Sequence, residues 1–118
     1  MSTPSHIATL YLAVWNERDA AARRALVARA FALDASYLDP MMRGAGHDGI
    51  DAMIAGAQSQ FPGLRFELDG TPDGHNHVVR FSWTLAAPGG APVAHGTDVA
   101  ELGDDGRLTR VTGFLNAA

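Results

Sequence analysis

One change of hydrophobic period constrains this chain more than any other feature. Up to about residue 61 the apolar residues recur with the spacing of helices, and from Leu64 onward they alternate. Ile7, Leu10, Tyr11, Val14 and Trp15 fall at i, i+3, i+4, i+7 and i+8, one face of a first helix. Pro4 and Ser5 are its start signals, and Asn16-Glu17-Arg18 ends it. Asp19 reads as the N-cap of a second helix over about residues 20–33. Leu26, Val27, Ala30, Phe31 and Leu33 supply its apolar side, with Arg23, Arg24 and Arg29 mostly opposite. The short connection makes the two a helical hairpin. Residues 35–40 are a short extended piece, because Pro40 disfavours helix at Asp39, and residues 41–46 are a loop. A third helix runs from His47 or Asp48 to Phe61, striped by Ile50, Met53, Ile54, Ala57 and Phe61 and stopped by Pro62-Gly63.

The alternating remainder predicts strands over residues 64–68, 77–87, 93–102 and 108–115. Asp69-Gly70, Asp73-Gly74, Pro88-Gly89-Gly90 and Asp104-Asp105-Gly106 are the turn signals between them. Helices first and an antiparallel meander afterwards mean an α+β fold, here one domain spanning residues 1–118. One face of the sheet must cover the three helical stripes, and its other face needs a polar coat or a partner subunit. Folded-surface scaling gives roughly 6,100 Å² against about 18,000 Å² unfolded, enough burial for one core without staples.

Composition narrows the chemistry. The chain has no cysteine and no lysine, and all nine basic residues are arginine. This excludes disulfides, thiolate nucleophiles, cysteine-ligated metals, Schiff bases and phosphate-loop lysines. Carboxylate, imidazole, hydroxyl and guanidinium groups remain, and no cofactor is implied. A net charge of −4 argues against nucleic acid, which demands a basic face. No apolar run approaches the roughly 20 residues of a membrane span. Residues 1–6 lack the pattern of a secretory signal, so a cytoplasmic location is expected.

Asp98 is the leading candidate for chemistry. On a regular strand it shares a face with Gly96, Ala100 and Leu102, while His95, Thr97 and Glu101 face the other way. A carboxylate on an apolar face is desolvated, which moves its pKa toward the working range of an acid or base. Its alternative is a structural Asp bonded to neighbouring backbone or Arg. Tyr37 and Asp39 share parity before Pro40, so they can set a hydroxyl and a carboxylate together, or Asp39 can make an Asx-type turn. His47 opens the third helix, as a proton shuttle or as part of the helix start. His75 and His77 at i, i+2 would share a strand face and could hold metal with His95. They sit beside a turn without an acidic ligand, so edge histidines are the expectation and no metal is assigned. Arg80 and Arg110 read as outer-face charges.

Several stretches then align with a known pattern. They are Tyr11-Leu12-Ala13-Val14-Trp15-Asn16-Glu17 with Asp19, then Tyr37-Leu38-Asp39-Pro40, Gly46-His47-Asp48-Gly49-Ile50 and Phe61-Pro62-Gly63. Arg80-Phe81-Ser82-Trp83, Gly96-Thr97-Asp98, Asp105-Gly106-Arg107-Leu108 and Gly113-Phe114 complete it. In order and spacing the chain resembles the SnoaL-like polyketide cyclase group of the nuclear transport factor 2-like superfamily. The resemblance implies a cone-shaped half-barrel, a curved antiparallel sheet wrapped around three N-terminal helices, with an apolar pocket at its wide end. It implies a small apolar organic ligand and a homodimer through the outer sheet face. It also implies one carboxylate as acid/base without metal, and Asp98 is the nearest match. Tyr37 and Asp39 fall where the steroid isomerases of this fold carry acid/base residues, and His47 completes the catalytic set. Trp15, Met42, Phe61, Phe81, Trp83, Phe114 and Asn116 are the expected ligand-binding residues, with Met41-Met42 as an adaptable lip. Asn116 departs from the acidic residue that related epoxide hydrolases carry near the end of the last strand. Two functions follow as expectations: an isomerase, cyclase or dehydratase, and alternatively a non-catalytic binding or dimerisation module.

Overall fold

The computed structural model describes residues 3–116 and contains three helices and six strands. Helix α1 spans Pro4–Asn16, α2 Ala20–Ala30 and α3 Gly46–Gln60. Strands β1 (Phe31–Leu38) and β2 (Arg43–Ala45) lie between α2 and α3. Strands β3 (Arg65–His75), β4 (Val78–Ala86), β5 (Ala94–Leu102) and β6 (Leu108–Leu115) follow. They form one sheet in the order β2-β1-β6-β5-β4-β3. Every neighbouring pair is antiparallel except β1 and β6, which run parallel. Breaks in register within β1–β6, β3–β4 and β5–β6 locally raise the twist that lets the sheet curl over the helices. No helix among the described residues is long and apolar enough to cross a membrane.

Helix starts follow their caps. The Thr3 side chain, rather than Ser5, accepts from the His6 amide at 3.1 Å, which leaves Pro4 in the first turn. Asp19 accepts from the Ala22 amide at 2.9 Å, as its cap position requires. α2 ends three residues earlier than helical spacing predicts. Phe31 turns into a strand residue opposite Leu108 and is buried, whereas Leu33 is 80% exposed. Ala-rich, helix-favouring sequence yields here to strand pairing, a tertiary contact that no local pattern reports. The expected loop after Pro40 contains β2, paired with β1 from Ser36↔Ala45 to Leu38↔Arg43.

The second departure concerns β3. Asp69-Gly70 and Asp73-Gly74 are not hairpin turns; they lie inside the strand, at an irregularity where Gly70 takes φ 76°. The reversal occurs at Asn76-His77, with Asn76 at φ 52°. Asn tolerates this left-handed conformation better than other non-glycine residues, which suits it to a tight hairpin.

Arg23 does not lie on a solvated face. It is buried, with Nε 2.8 Å from Asp51 Oδ1 and a second donor 3.0 Å from Gln58 Oε1. Gln58 in turn donates to the carbonyls of Trp15 (3.0 Å) and Glu17 (2.6 Å) at the end of α1. One polar chain therefore ties α1, α2 and α3 together. At the same end of α1, Asn16 pairs with both the amide and the carbonyl of Phe66, each at 2.8 Å, and so fastens β3 to the helix.

Arg23→Ala leaves the half-buried Asp51 carboxylate with only the long Arg24 contact (3.8 Å) and the Gln58 side-chain oxygen unpaired, with little water to replace the guanidinium. We expect a loss of about 3–5 kcal/mol in denaturant unfolding. A loss below about 1 kcal/mol would mean that the network does not join the helices energetically.

Candidate functional site

The site is built on strand parity. Val79, Phe81, Trp83 and Leu85 of β4, Gly96, Asp98 and Ala100 of β5, and Val111 and Gly113 of β6 face the helices. Trp83 lies directly opposite Gly96. A Cβ on Gly96 would fall 2.2 Å from the Trp83 ring, so the glycine is the seat on which the indole rests. The ring thus reaches the diagonal neighbour, and its Nε1 donates to Asp98 Oδ1 at 3.3 Å. Across the strand, Gly113 faces Asp98. A Cβ there would sit 2.9 Å from Asp98 Oδ1, 3.1 Å from Asp39 Cβ and 3.3 Å from the Tyr37 hydroxyl. Two missing side chains therefore open a recess into which a carboxyl and a phenol project.

α1 supplies Tyr11, Leu12 and Trp15 to this recess, α3 and its C-cap supply Ala57 and Phe61, and β3 supplies Phe66. Trp15 packs against Tyr37 at 5.5 Å between ring centroids and edge-on to Phe66 at 5.4 Å; Phe66 meets Trp83 at 5.1 Å. Met41, Met42, Ala94 and Leu115 complete an overwhelmingly apolar wall. The cavity they enclose is about 100 Å³.

Asp98 is almost wholly buried and has no ion-pair partner among the described residues. Loss of hydration pushes its pKa up to about 6. The Tyr11 hydroxyl and the Trp83 indole draw it partly back, and the Asp39 carboxylate adds a smaller upward push. Burial beside Asp98 also drives the phenols of Tyr11 and Tyr37 well above their ordinary range, so both stay protonated. Tyr37 donates to Asp39 Oδ2 at 2.5 Å. The other oxygen of Asp39 accepts from the amides of Met41 (2.7 Å) and Met42 (2.8 Å). Asp39 thus makes the Asx-type turn and at the same time holds Tyr37 and the methionine lip.

The structure gathers Trp15, Tyr37, Asp39, Met42, Phe61, Trp83 and Asp98 around one cavity. Four expected residues lie elsewhere. His47 Nε2 is 2.8 Å from the Phe31 carbonyl, where it fixes the start of α3 against the α2–β1 junction. Phe81 faces inward but packs behind Tyr11, 5.0 Å between ring centroids, at the closed end of the core. Phe114 pairs with Thr97 on the outer face, because from Val111 onward the odd positions of β6 point inward, and it is exposed. Asn116 makes long contacts with Thr97 Oγ1 on that outer side. Tyr11 and Phe66 are lining residues that the sequence marks only as members of a helical stripe and an alternating strand. The spacing of Tyr11 four before Trp15 was the available signal for the first.

His95 stands opposite Thr84 on the outer face, since β4–β5 pairing is regular from end to end. His77 lies in the tip of the β3–β4 hairpin, seven register steps from His95 and hence roughly 23 Å along the strands. These histidines do not converge, and no group of three His, Cys, Asp or Glu suited to a metal ion occurs among the described residues.

The sequence matches the model of the SnoaL-like domain over residues 8–111. No curated protein matches it. A crystal structure of a candidate isomerase of the SnoaL-like family from Agrobacterium tumefaciens is 51% identical, with a TM-score of 0.95 over 99% of this chain and 100% of that one. A candidate polyketide cyclase from Sinorhizobium meliloti is 20% identical, with a TM-score of 0.70 over 91% and 92% of the two chains. An NTF2-like protein of unknown function from an Exiguobacterium species is 15% identical, with a TM-score of 0.74 over 95% and 99%. The last two report the fold alone.

The raised pKa of Asp98 has a consequence for stability. An unfolded Asp titrates near 3.8 and the folded one near 6, so the folded chain holds its proton longer. The contribution of Asp98 is therefore fully present below pH 3.8 and is lost as pH rises through about 6. Asp98→Asn keeps an acceptor for Trp83 and removes the ionisation. We expect the variant to be more stable than the parent at pH 7–8, by up to about 3 kcal/mol, with the difference shrinking toward pH 4. Thermal melts across that range check it; a variant less stable than the parent at pH 8 would refute the assignment.

Proposed function

The chain belongs to the SnoaL-like domain family, and from that premise we propose that it catalyses proton transfer on a small apolar organic molecule, with Asp98 as the base. The observation that carries this reading is a buried carboxyl with no cation beside it, held by one indole at the foot of an apolar cavity. A structural Asp in such a place would be expected to hold an Arg or several backbone amides. Among the described residues Asp98 instead has only the Trp83 indole aligned on it, with the Tyr11 hydroxyl close enough to steady its charge.

A pKa of about 6 leaves the group mainly ionised at neutral pH yet basic enough to take a proton from carbon or oxygen. The apolar wall excludes water that would compete for that proton and strengthens the charge–dipole contacts within the cavity. Tyr37 is the polar helper and Asp39 positions it; His47, turned to the Phe31 carbonyl, has no part in the step. The chemistry is that of an isomerase, cyclase or dehydratase, whose common element is removal and return of one proton. We read the protein as a cytoplasmic homodimer, supported by the exposed Leu38 and Phe114 and tested by light scattering. The rival reading, a binding module without turnover, is favoured by one observation, the small size of the cavity.

Exchange of the α-hydrogens of cyclopentanone in D2O, followed by NMR, separates the two readings. The parent should accelerate exchange, with a rate that rises through about pH 6 and levels off above it. Asp98→Asn should lower that rate by about 100-fold or more while remaining folded. Equal exchange in a folded Asp98→Asn variant would remove Asp98 from the chemistry, and no acceleration by the parent would leave the binding module.

A further inference from the structure

The hairpin tip between β1 and β2 closes one side of the cavity, and it is tied to its surroundings at several points. The tip runs from Asp39 to Met42 and hangs on one carboxyl. Asp39 Oδ1 accepts from the amides of Met41 (2.7 Å) and Met42 (2.8 Å), and the Asp39 amide donates to the Met42 carbonyl at 2.9 Å. Both backbone groups of Met42 are therefore spent on Asp39. Tyr37 holds the other carboxyl oxygen. Below the tip, Leu38 pairs with Arg43 and Tyr37 with Gly44. Gly44 approaches α3 so closely that a Cβ would fall 2.9 Å from the Gly49 carbonyl oxygen, which seats β2 on the helix. The adaptability expected of the methionine lip thus resides in its thioethers, while its backbone is a fixed wall.

The two methionines contribute differently to that wall. Met41 is 61% exposed, so most of its side chain faces water. Met42 is half-buried and packs against the core. Across the cavity Phe66 meets both Trp15 and Trp83 edge-on, and Trp83 rests on the main chain at Gly96. Moving those rings disturbs a close-packed interior. A cavity of about 100 Å³ is below the 150 Å³ or so that admits benzene to a dry apolar site. In an open apolar site a larger molecule binds more tightly because it buries more area. Here steric exclusion opposes that gain, and the side chain that excludes without carrying the core is Met42.

We propose that Met42, held in place by Asp39, sets the upper size of the ligand and excludes molecules larger than a single small ring. Asp39 acts here as a positioning residue for the wall, through the two amides it accepts. The proposal rests on the cavity being a ligand site, the premise of the proton-transfer reading, and not on Asp98 being the base.

The test compares cyclopentanol with 2-indanol, which is the same alcohol fused to a benzene ring. Dissociation constants are measured by NMR titration. The parent should bind cyclopentanol the more tightly. Met42→Ala, which removes Cγ, Sδ and Cε, should shift the ratio of the two constants about tenfold or more toward 2-indanol. Met42→Val should shift it the same way by less, and it stands in if the alanine variant does not fold. Asp39→Ala frees the tip and should shift the ratio in the same direction by about threefold or more. Asp39→Asn keeps an oxygen for both amides and should stay within about twofold of the parent, which separates wall-holding from any role of the Asp39 charge. The proposal is overturned if the parent binds 2-indanol as tightly as cyclopentanol or binds neither. It is also overturned if the Met42 variants keep the parent ratio, or if Asp39→Ala and Asp39→Asn behave alike. A parent that shows the size limit but does not accelerate exchange in cyclopentanone supports the limit and fails the proton-transfer reading alone.

Discussion

The concave face of the sheet has to close a core and keep a hollow, and most of the structure follows from how it divides the two tasks. Ile7, Val27, Ile50 and Ile54 of the helices join Phe31, Val79 and Val111 of the sheet in the buried core. Around the cavity the strands carry small residues where large ones would fill the space. Gly96 lets an indole lie flat on β5, and Gly113 leaves room for a carboxyl and a phenol. Apolar burial contributes about 25 cal/mol per Å², so unfilled volume near the core is a loss that the core must offset. The Arg23–Asp51–Gln58 chain serves that core by locking the three helices where their stripes converge.

Asp98 expresses the same division in electrostatic terms. A carboxylate taken out of water without a cation destabilises the fold at neutral pH. A merely structural group would be relieved by an arginine, and none of the ion pairs among the described residues reaches the cavity. The aromatic residues around it offer donors rather than charges, which temper the pKa without neutralising the group. Asp39, a second carboxylate nearby, is held differently. Two amides and a phenol satisfy it, so of the two only Asp98 has capacity left for another molecule.

Much of this was legible before any coordinates. Helical spacing located α1, α2 and α3, and strand alternation located β4, β5 and β6, with the isolated carboxylate of Asp98 correctly inward but Phe114 of β6, expected in the pocket, facing out. The failures have specific causes. Phe31 to Leu33 looks helical because its side chains tolerate a helix, and pairing with β6 draws it into a strand. Asp-Gly pairs inside β3 signal turns, yet Gly70 can also serve a strand irregularity while Asn76 makes the actual reversal. Arg23 reads as solvated because arginine usually is; its burial depends on Asp51 and Gln58, 28 and 35 residues away.

Local chemistry is what the sequence determined by itself: the period of each segment, the face on which each side chain stands, and the absence of thiols and amines that leaves carboxyl, phenol and imidazole groups for any reaction. Tertiary structure decided which of those groups meet. It brought Tyr11, Tyr37, Asp39 and Asp98 to one recess, turned His47 to a carbonyl and His95 to the outer face, and left the Tyr11 and Trp15 donors without partners. The physical reason is that a face is a property of a few consecutive residues, whereas a cavity depends on the register of distant strands and on which opposing positions are empty.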